Sequence, residues 1–360
     1  MLTKLDKYIA FRFIGTFFFI LALLMTISIV FDISEKVDDF IRTQPTIKEV
    51  LLDYYLNFIM YYGNLFSPLI IFIALIIFTS RMAQRAEIVA ILSGGVSFNR
   101  LLRPFLLSAT ILAGMALMLN HFIVPHANKD RLDFEEKYIR FHQIIEAKNL
   151  HLEVAPGHIV YFHNIDMRTN TGLRLSMETW DQDKKLTQKL MSQRAVQDTS
   201  TERWIIYDYV IRKHIGGKEQ IIRGTQKDTI LDFTLNDFGR RSNYVSSMDY
   251  YELDEFIAQE TARGSDKIPF YEVEKHQRTS YPFATYVLTI IGVSVSSRKV
   301  RGGIGVQIAM GFLIILLYIF AMKVSTVSAT NAGLDPLVST WLPNMVFSVL
   351  ALYLYMKARR

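Results

Sequence analysis

Residues 80–100 read SRMAQRAEIVAILSGGVSFNR, and Glu87 is the only acid in a stretch that carries Arg81, Arg85 and Arg100, with Arg103 just beyond. Gln84, Glu87 and Ile91 fall at helical spacing, as do Arg81 and Arg85. Gly94 and Gly95 supply a helix stop. The pattern predicts a short interfacial helix over about 80–95 with one charged and one apolar edge, a form that seats in a partner's groove. The plainer reading is topogenic: the arginines hold the loop on the cytoplasmic side. Glu87 adds nothing to that role.

Two lysines beside apolar runs also have two readings. Lys323, in YIFAMKVST, either snorkels to the headgroups or faces a cavity that holds an anionic headgroup; at the bilayer centre its charge costs roughly 2.5–3.5 kcal/mol. Lys36, in FDISEKVDDF, either pairs with a neighbouring acid or meets an anion. His121 and His126 flank FIVP with no third ligand at helical spacing and read as interfacial polar residues. His151, His158 and His163 fall in a β-rich region, and Ser93 lacks the strand–turn–helix setting of a nucleophile elbow. The sequence contains no G-x-x-x-x-G-K-[ST] and no H-E-x-x-H. Any ATP and Mg used are therefore expected on another chain, and no cofactor on this one. The absence of cysteine excludes disulfides, thiolate metal sites and cysteine nucleophiles.

These residues lie between apolar runs at about 13–31, 58–79, 104–124, 281–296, 304–325 and 337–356. The chain has 360 residues, 51% of them hydrophobic, and a mean hydropathy of +0.20. Each run approaches the roughly 20 residues that cross a bilayer, with the fourth the shortest. No cleavable leader is expected, because the first run lacks a small-residue cleavage site and leads into acidic sequence. The net charge of +6 does not point to nucleic acid, because its cations collect between the runs: Lys4, Lys7 and Arg12; the 80–103 loop; Arg298, Lys299 and Arg301; and the final KARR. If all six runs span, these fall on one side and place both termini in the cytoplasm.

The predicted fold is an α-helical membrane protein with six transmembrane helices (3+3) and an inserted periplasmic all-β jelly-roll or sandwich domain. The expected boundaries are 1–124, 125–280 and 281–360. Strands are predicted at 158–165, 173–181, 203–215 and 229–235, separated by turn signals at 170–172, 198–201 and 216–218. Helical flanks are expected at 127–143, 253–262 and 272–277.

LDKYI (5–9), Pro68, AQRAEIVAILSGGVS (83–97), VP (124–125) and WLPNMVF (341–347) resemble the permease subunits of the lipopolysaccharide export ABC transporter, the LptF/LptG family, with LDKYI and AQRAE leaning to the LptG-like member. The resemblance implies a non-catalytic subunit of the bacterial inner membrane. It would pair with a second permease of the family, two copies of a cytoplasmic ATPase and a single-span periplasmic bridge protein, and extract lipopolysaccharide from the outer leaflet. It makes the 83–97 segment the ATPase-docking helix, with Gln84, Arg85, Glu87, Ile88, Ile91 and Gly95 at the contact and Glu87 facing an ATPase cation. The cavity lysine of one family member falls here on Asp32, and the span-two and post-span-three basic positions of that member fall on Tyr61, Leu132 and Glu135. Lys36, Lys129 and Arg131 lie close by and, with Lys323, are the headgroup candidates. The rival reading is a mechanotransmitter or periplasmic scaffold that couples ATP hydrolysis to its outer domain and moves no lipid.

Overall fold

The structure, a computed structural model, describes residues 3–139, 150–166, 169–181, 185–198, 203–215, 218–231, 233–235, 242–262, 265, 267–298 and 303–359. Lys299, Arg301 and Arg360 of the basic clusters lie outside the described residues, as do 140–143 of the first helical flank and turn positions 199–201 and 216–217. The chain divides into two compact units: Met1–Phe134 with Ser246–Leu253 and Pro269–Arg360, and Glu135–Val245 with Asp254–Ile268.

The first unit is helical. Helix α1 (Lys4–Thr43) starts at a capping box in which Thr3 and Asp6 satisfy each other's backbone N–H groups. A π-helical turn (Glu49–Tyr55) leads into α2 (Leu56–Leu65), followed by α3 (Ser67–Gln84), α4 (Glu87–Ser93) and α5 (Phe98–Met118). A second π-helical turn (Leu119–Ile123) leads into α6 (Val124–Phe134). After the strands come α7 (Tyr250–Ala262), most of which belongs to the second unit, and then α8 (Ile268–Ser296), α9 (Gly303–Ala332) and α10 (Pro336–Arg359).

Helix α3 is the shared wall. It packs against α1 on one side and α9 on the other. Its Ile70, Leu75 and Phe78 join Ile9, Phe13, Leu101 and Phe105 in one core. Its Phe72 and Ile76 join Leu288, Ile291, Ile315 and Phe347 in another. Glycine lets α8 approach: a Cβ on Gly292 would lie 2.1 Å from Leu75 Cδ2. The most apolar stretch of α3 is 67% buried within the chain, against 17% for that of α1, so α1 is peripheral and presents its apolar surface outward.

Five described helical segments are long and apolar enough to cross a membrane: Lys4–Thr43, Ser67–Gln84, Phe98–Ile139, Gly303–Ala332 and Pro336–Arg359. The fourth apolar run and the expected flank at 272–277 form one continuous helix, α8. Its hydroxyl-rich sequence keeps it out of that set. Its Ala284, Leu288, Ile291 and Val293 are wholly buried, so it has less need of an apolar surface all round.

Proline interrupts the ladders of α8 and α10, and a neighbouring helix supplies the missing donors. Pro282 has no N–H for the Arg278 carbonyl, which accepts instead from Asn120 Nδ2 at 3.2 Å. Pro343 leaves the Ser339 carbonyl, which accepts from Ser325 Oγ at 2.5 Å. Without water in a bilayer core, freed carbonyls need such partners.

Among its described residues the second unit holds seven strands: β1 (Leu150–Ala155), β2 (His158–Phe162), β3 (Asn164–Asp166), β4 (Thr171–Trp180), β5 (Leu186–Asp198), β6 (Arg203–Ile215) and β7 (Lys218–Ile230). All pair antiparallel in the order β1-β2-β4-β5-β6-β7, with β3 on β4. The all-β reading holds, and the described strands hydrogen-bond into one sheet. Phe162, Trp204 and Phe233 centre its core, with Trp204 Nε1 donating to the Phe233 carbonyl at 3.1 Å. The strand expected at 229–235 is displaced: β7 runs earlier and ends at Ile230.

Candidate functional site

The helix expected over 80–95 is broken. Helix α3 ends at Gln84, Arg85 caps it, and Ala86 turns the chain with φ of +59°. That conformation costs a residue with a Cβ about 1–2 kcal/mol. The break places Gln84 and Glu87 on different helices. Helix α4 then ends in a Schellman motif: Gly95 has φ of +82°, Val96 N–H reaches the Ile91 carbonyl, and Gly95 N–H reaches the Leu92 carbonyl. Gly95 is needed for that turn.

The docking candidates separate by exposure. Ile88 is 1% exposed and belongs to the core around Phe98, Leu101, Ile9 and Phe13, so it anchors α4 from within. Ile91 packs partly against the same core, and Gln84 is half-buried. Arg85 is exposed and Glu87 half-buried, with 4.0 Å between Nη1 and Oε1. Sequence reasoning missed Val89, 53% exposed, and Leu92, 38% exposed. Their i, i+3 spacing was legible, but the choice of Ile88 over Val89 depends on which face the core takes.

The same end of the helical unit gathers further contacts. Ser97 caps α5 by accepting from Arg100 N–H. The Arg100 guanidinium forks onto Asp6, Nη1 to Oδ1 at 2.6 Å and Nη2 to Oδ2 at 2.6 Å. Asp6 precedes the apolar run, and Arg100 holds its carboxyl well below the usual carboxylate range. Tyr355 Oη of α10 donates to Asn99 Oδ1, and Arg298 Nη2 donates to the Lys357 carbonyl at 2.9 Å.

At the other end of α1, Asp32 is shared. Lys36 Nζ donates to Asp32 Oδ1 at 2.7 Å and to Tyr54 Oη. Tyr54 Oη donates to Asp32 Oδ2 at 3.0 Å, and Tyr55 Oη to the same oxygen at 3.2 Å. Lys36 also lies over the Tyr54 ring, 4.7 Å from its centroid. Of the two readings of Lys36, the pairing with a neighbouring acid is present. Arg131 is buried, donates to Asn128 Oδ1 at 2.7 Å, and lies over the rings of Tyr61 and Tyr62. Lys129 and Lys323 are exposed. The four headgroup candidates therefore divide into two engaged cations and two open ones.

Five described helical segments of spanning length, with an antiparallel sheet unit inserted in the sequence between helical groups, fit a multi-span membrane protein. The family model described as "Lipopolysaccharide export system permease LptF/LptG" matches residues 7–357. The chain belongs to that family. Comparison with curated proteins gives no match.

Proposed function

We propose that this chain is the non-catalytic permease subunit of an ABC exporter and turns the motion of a separate ATPase into lipopolysaccharide extraction from the outer leaflet of the bacterial inner membrane. It pairs with a second permease of the family, binds two copies of the ATPase, which hold ATP and Mg, and hands lipid to a periplasmic bridge. Both termini lie in the cytoplasm and the sheet unit in the periplasm, a topology supported by the arginines at 81, 85, 100 and 103.

The observation that carries the reading is α4, a two-turn helix whose buried Ile88 fixes it to the core while Val89 and Leu92 face outward beside Arg85 and Glu87. A short apolar face with a charged rim suits a groove in a partner. Glu87 meets a cation there, because a charge-assisted hydrogen bond resists shear as the ATPase moves. Among the cations, Lys129 and Lys323 are the available headgroup contacts, while Lys36 and Arg131 are engaged within the chain. The test is Glu87→Arg in vesicles containing lipopolysaccharide, with the partner permease and ATPase present. Complex assembly or ATP-driven release is expected to fall at least about tenfold, the scale of a disrupted charged contact at an interface. Unchanged assembly and release would refute the docking role.

A further inference from the structure

LDKYI, the motif that opens α1, is not used in the reading above, yet its aspartate makes a close ion pair within the helical unit. Asp6 receives both arms of the Arg100 fork at 2.6 Å, across 94 positions of sequence. Thr3 fixes the acid from its own side: its N–H and Oγ1 donate to Asp6 Oδ2 at 2.8 and 2.9 Å. Arg100 Nη2 also reaches Thr3 Oγ1 at 3.4 Å. A bidentate guanidinium–carboxylate pair fixes direction as well as distance.

The position of Arg100 gives the pair its meaning. Only residues 94–97 separate α4 from α5, and the Schellman turn and the Ser97 cap order that link. Arg100 sits in the first turn of α5, so a displacement of α4 reaches it without a slack loop. Beneath the ion pair, Ile88, Phe98 and Leu101 share a core with Ile9 and Phe13 of α1. The buried residues of α1 are Asp6, Ile9, Phe13, Phe17 and Met25, so its core contacts lie towards the N-terminal end. The rest of a helix about 60 Å long extends beyond them.

We propose that Asp6 and Arg100 are positioning residues that transmit displacement of α4 to α1. The proposal rests on the reading of α4 as the ATPase-docking element, and adds to it the route by which motion reaches a peripheral span. The core alone permits sliding between α4 and α1; the fork converts that sliding into a directed pull on the first turn of α1.

The test uses the assembled complex of this chain, its co-purified permease and its ATPase, in vesicles containing lipopolysaccharide. ATP hydrolysis and lipid release are read together for Asp6→Arg, Arg100→Asp, the double reversal and Arg100→Lys. Each single reversal is expected to keep hydrolysis within about twofold while release per ATP falls about tenfold, within the range for coupling through packed networks. Arg100→Lys keeps the charge but loses the fork, and is expected to fall between wild type and the reversals. The double reversal recovers release at least in part. Unchanged release per ATP in assembled variants would overturn the proposal. So would a parallel loss of hydrolysis and release in Arg100→Lys, which assigns the pair to folding or docking. If a single reversal does not assemble, Arg100→Lys decides by the same ratio. Failure of the parent reading is separate: it shows as no ATP-driven release by the unaltered complex.

Discussion

Helix α1 is clasped at two places, and the two clasps are built differently. Near its start, both arms of one arginine meet one carboxylate, which Thr3 steadies from its own side, and arginine and acid lie 94 residues apart. Near residue 32, one carboxylate is divided among an amine and two phenols, all within 23 residues. The first joins α1 to the exit of α4 through a single oriented contact. The second ties α1 to the turn before α2 by several weaker donors, and cancels a positive charge beside the apolar run. A fork transmits direction, whereas a shared acid holds position and tolerates loss of one donor.

The most damaging change to the second clasp is Asp32→Ala. It leaves the part-buried Lys36 ammonium without its 2.7 Å partner and removes the acceptor of both phenols. A loss of about 3 kcal/mol is expected, on the scale of breaking a buried pair from one side, read by thermal unfolding in detergent. Lys36→Met should cost less, about 1–2 kcal/mol, because Asp32 keeps two hydroxyl donors. If the two losses are equal, the acid is not shared and the contrast between the clasps fails. The smallest effect has the opposite sign. Ala86→Gly, at the positive-φ turn that feeds the first clasp, should stabilise the chain by about 1 kcal/mol at most. A lower melting temperature there would mean that the turn is not held as described.

Much of this was legible in the sequence, for physical reasons that differ by element. The apolar runs announce spans, because lipid demands continuous hydrophobicity, and Gly94–Gly95 announced the end of α4. The strand β6 was bounded correctly at 203–215 because RWIIYDYVIRKHI is β-branched and aromatic. Strand β5 was missed and β7 was placed too late because LTQKLMSQRAVQD and KEQIIRGTQKDTI are polar, and β7 is mostly exposed. The break at Ala86 left no signal, since alanine favours helix and the turn is imposed by packing on either side. Asp6 stood in a recognised motif, but its partner Arg100 lay in a cluster explained by topology alone. Only the fold brings them together.

The claim on which the rest depends is that outside energy enters through the exposed face of α4. The chain has no cysteine, so single cysteines can be placed without background. In the assembled complex, Val89→Cys and Leu92→Cys should crosslink to the ATPase with a short bifunctional thiol–amine reagent, while Ile88→Cys, facing the core, and Lys323→Cys, on α9, should not. Absence of an ATPase adduct from positions 89 and 92, or equal adducts from 323, would contradict the account.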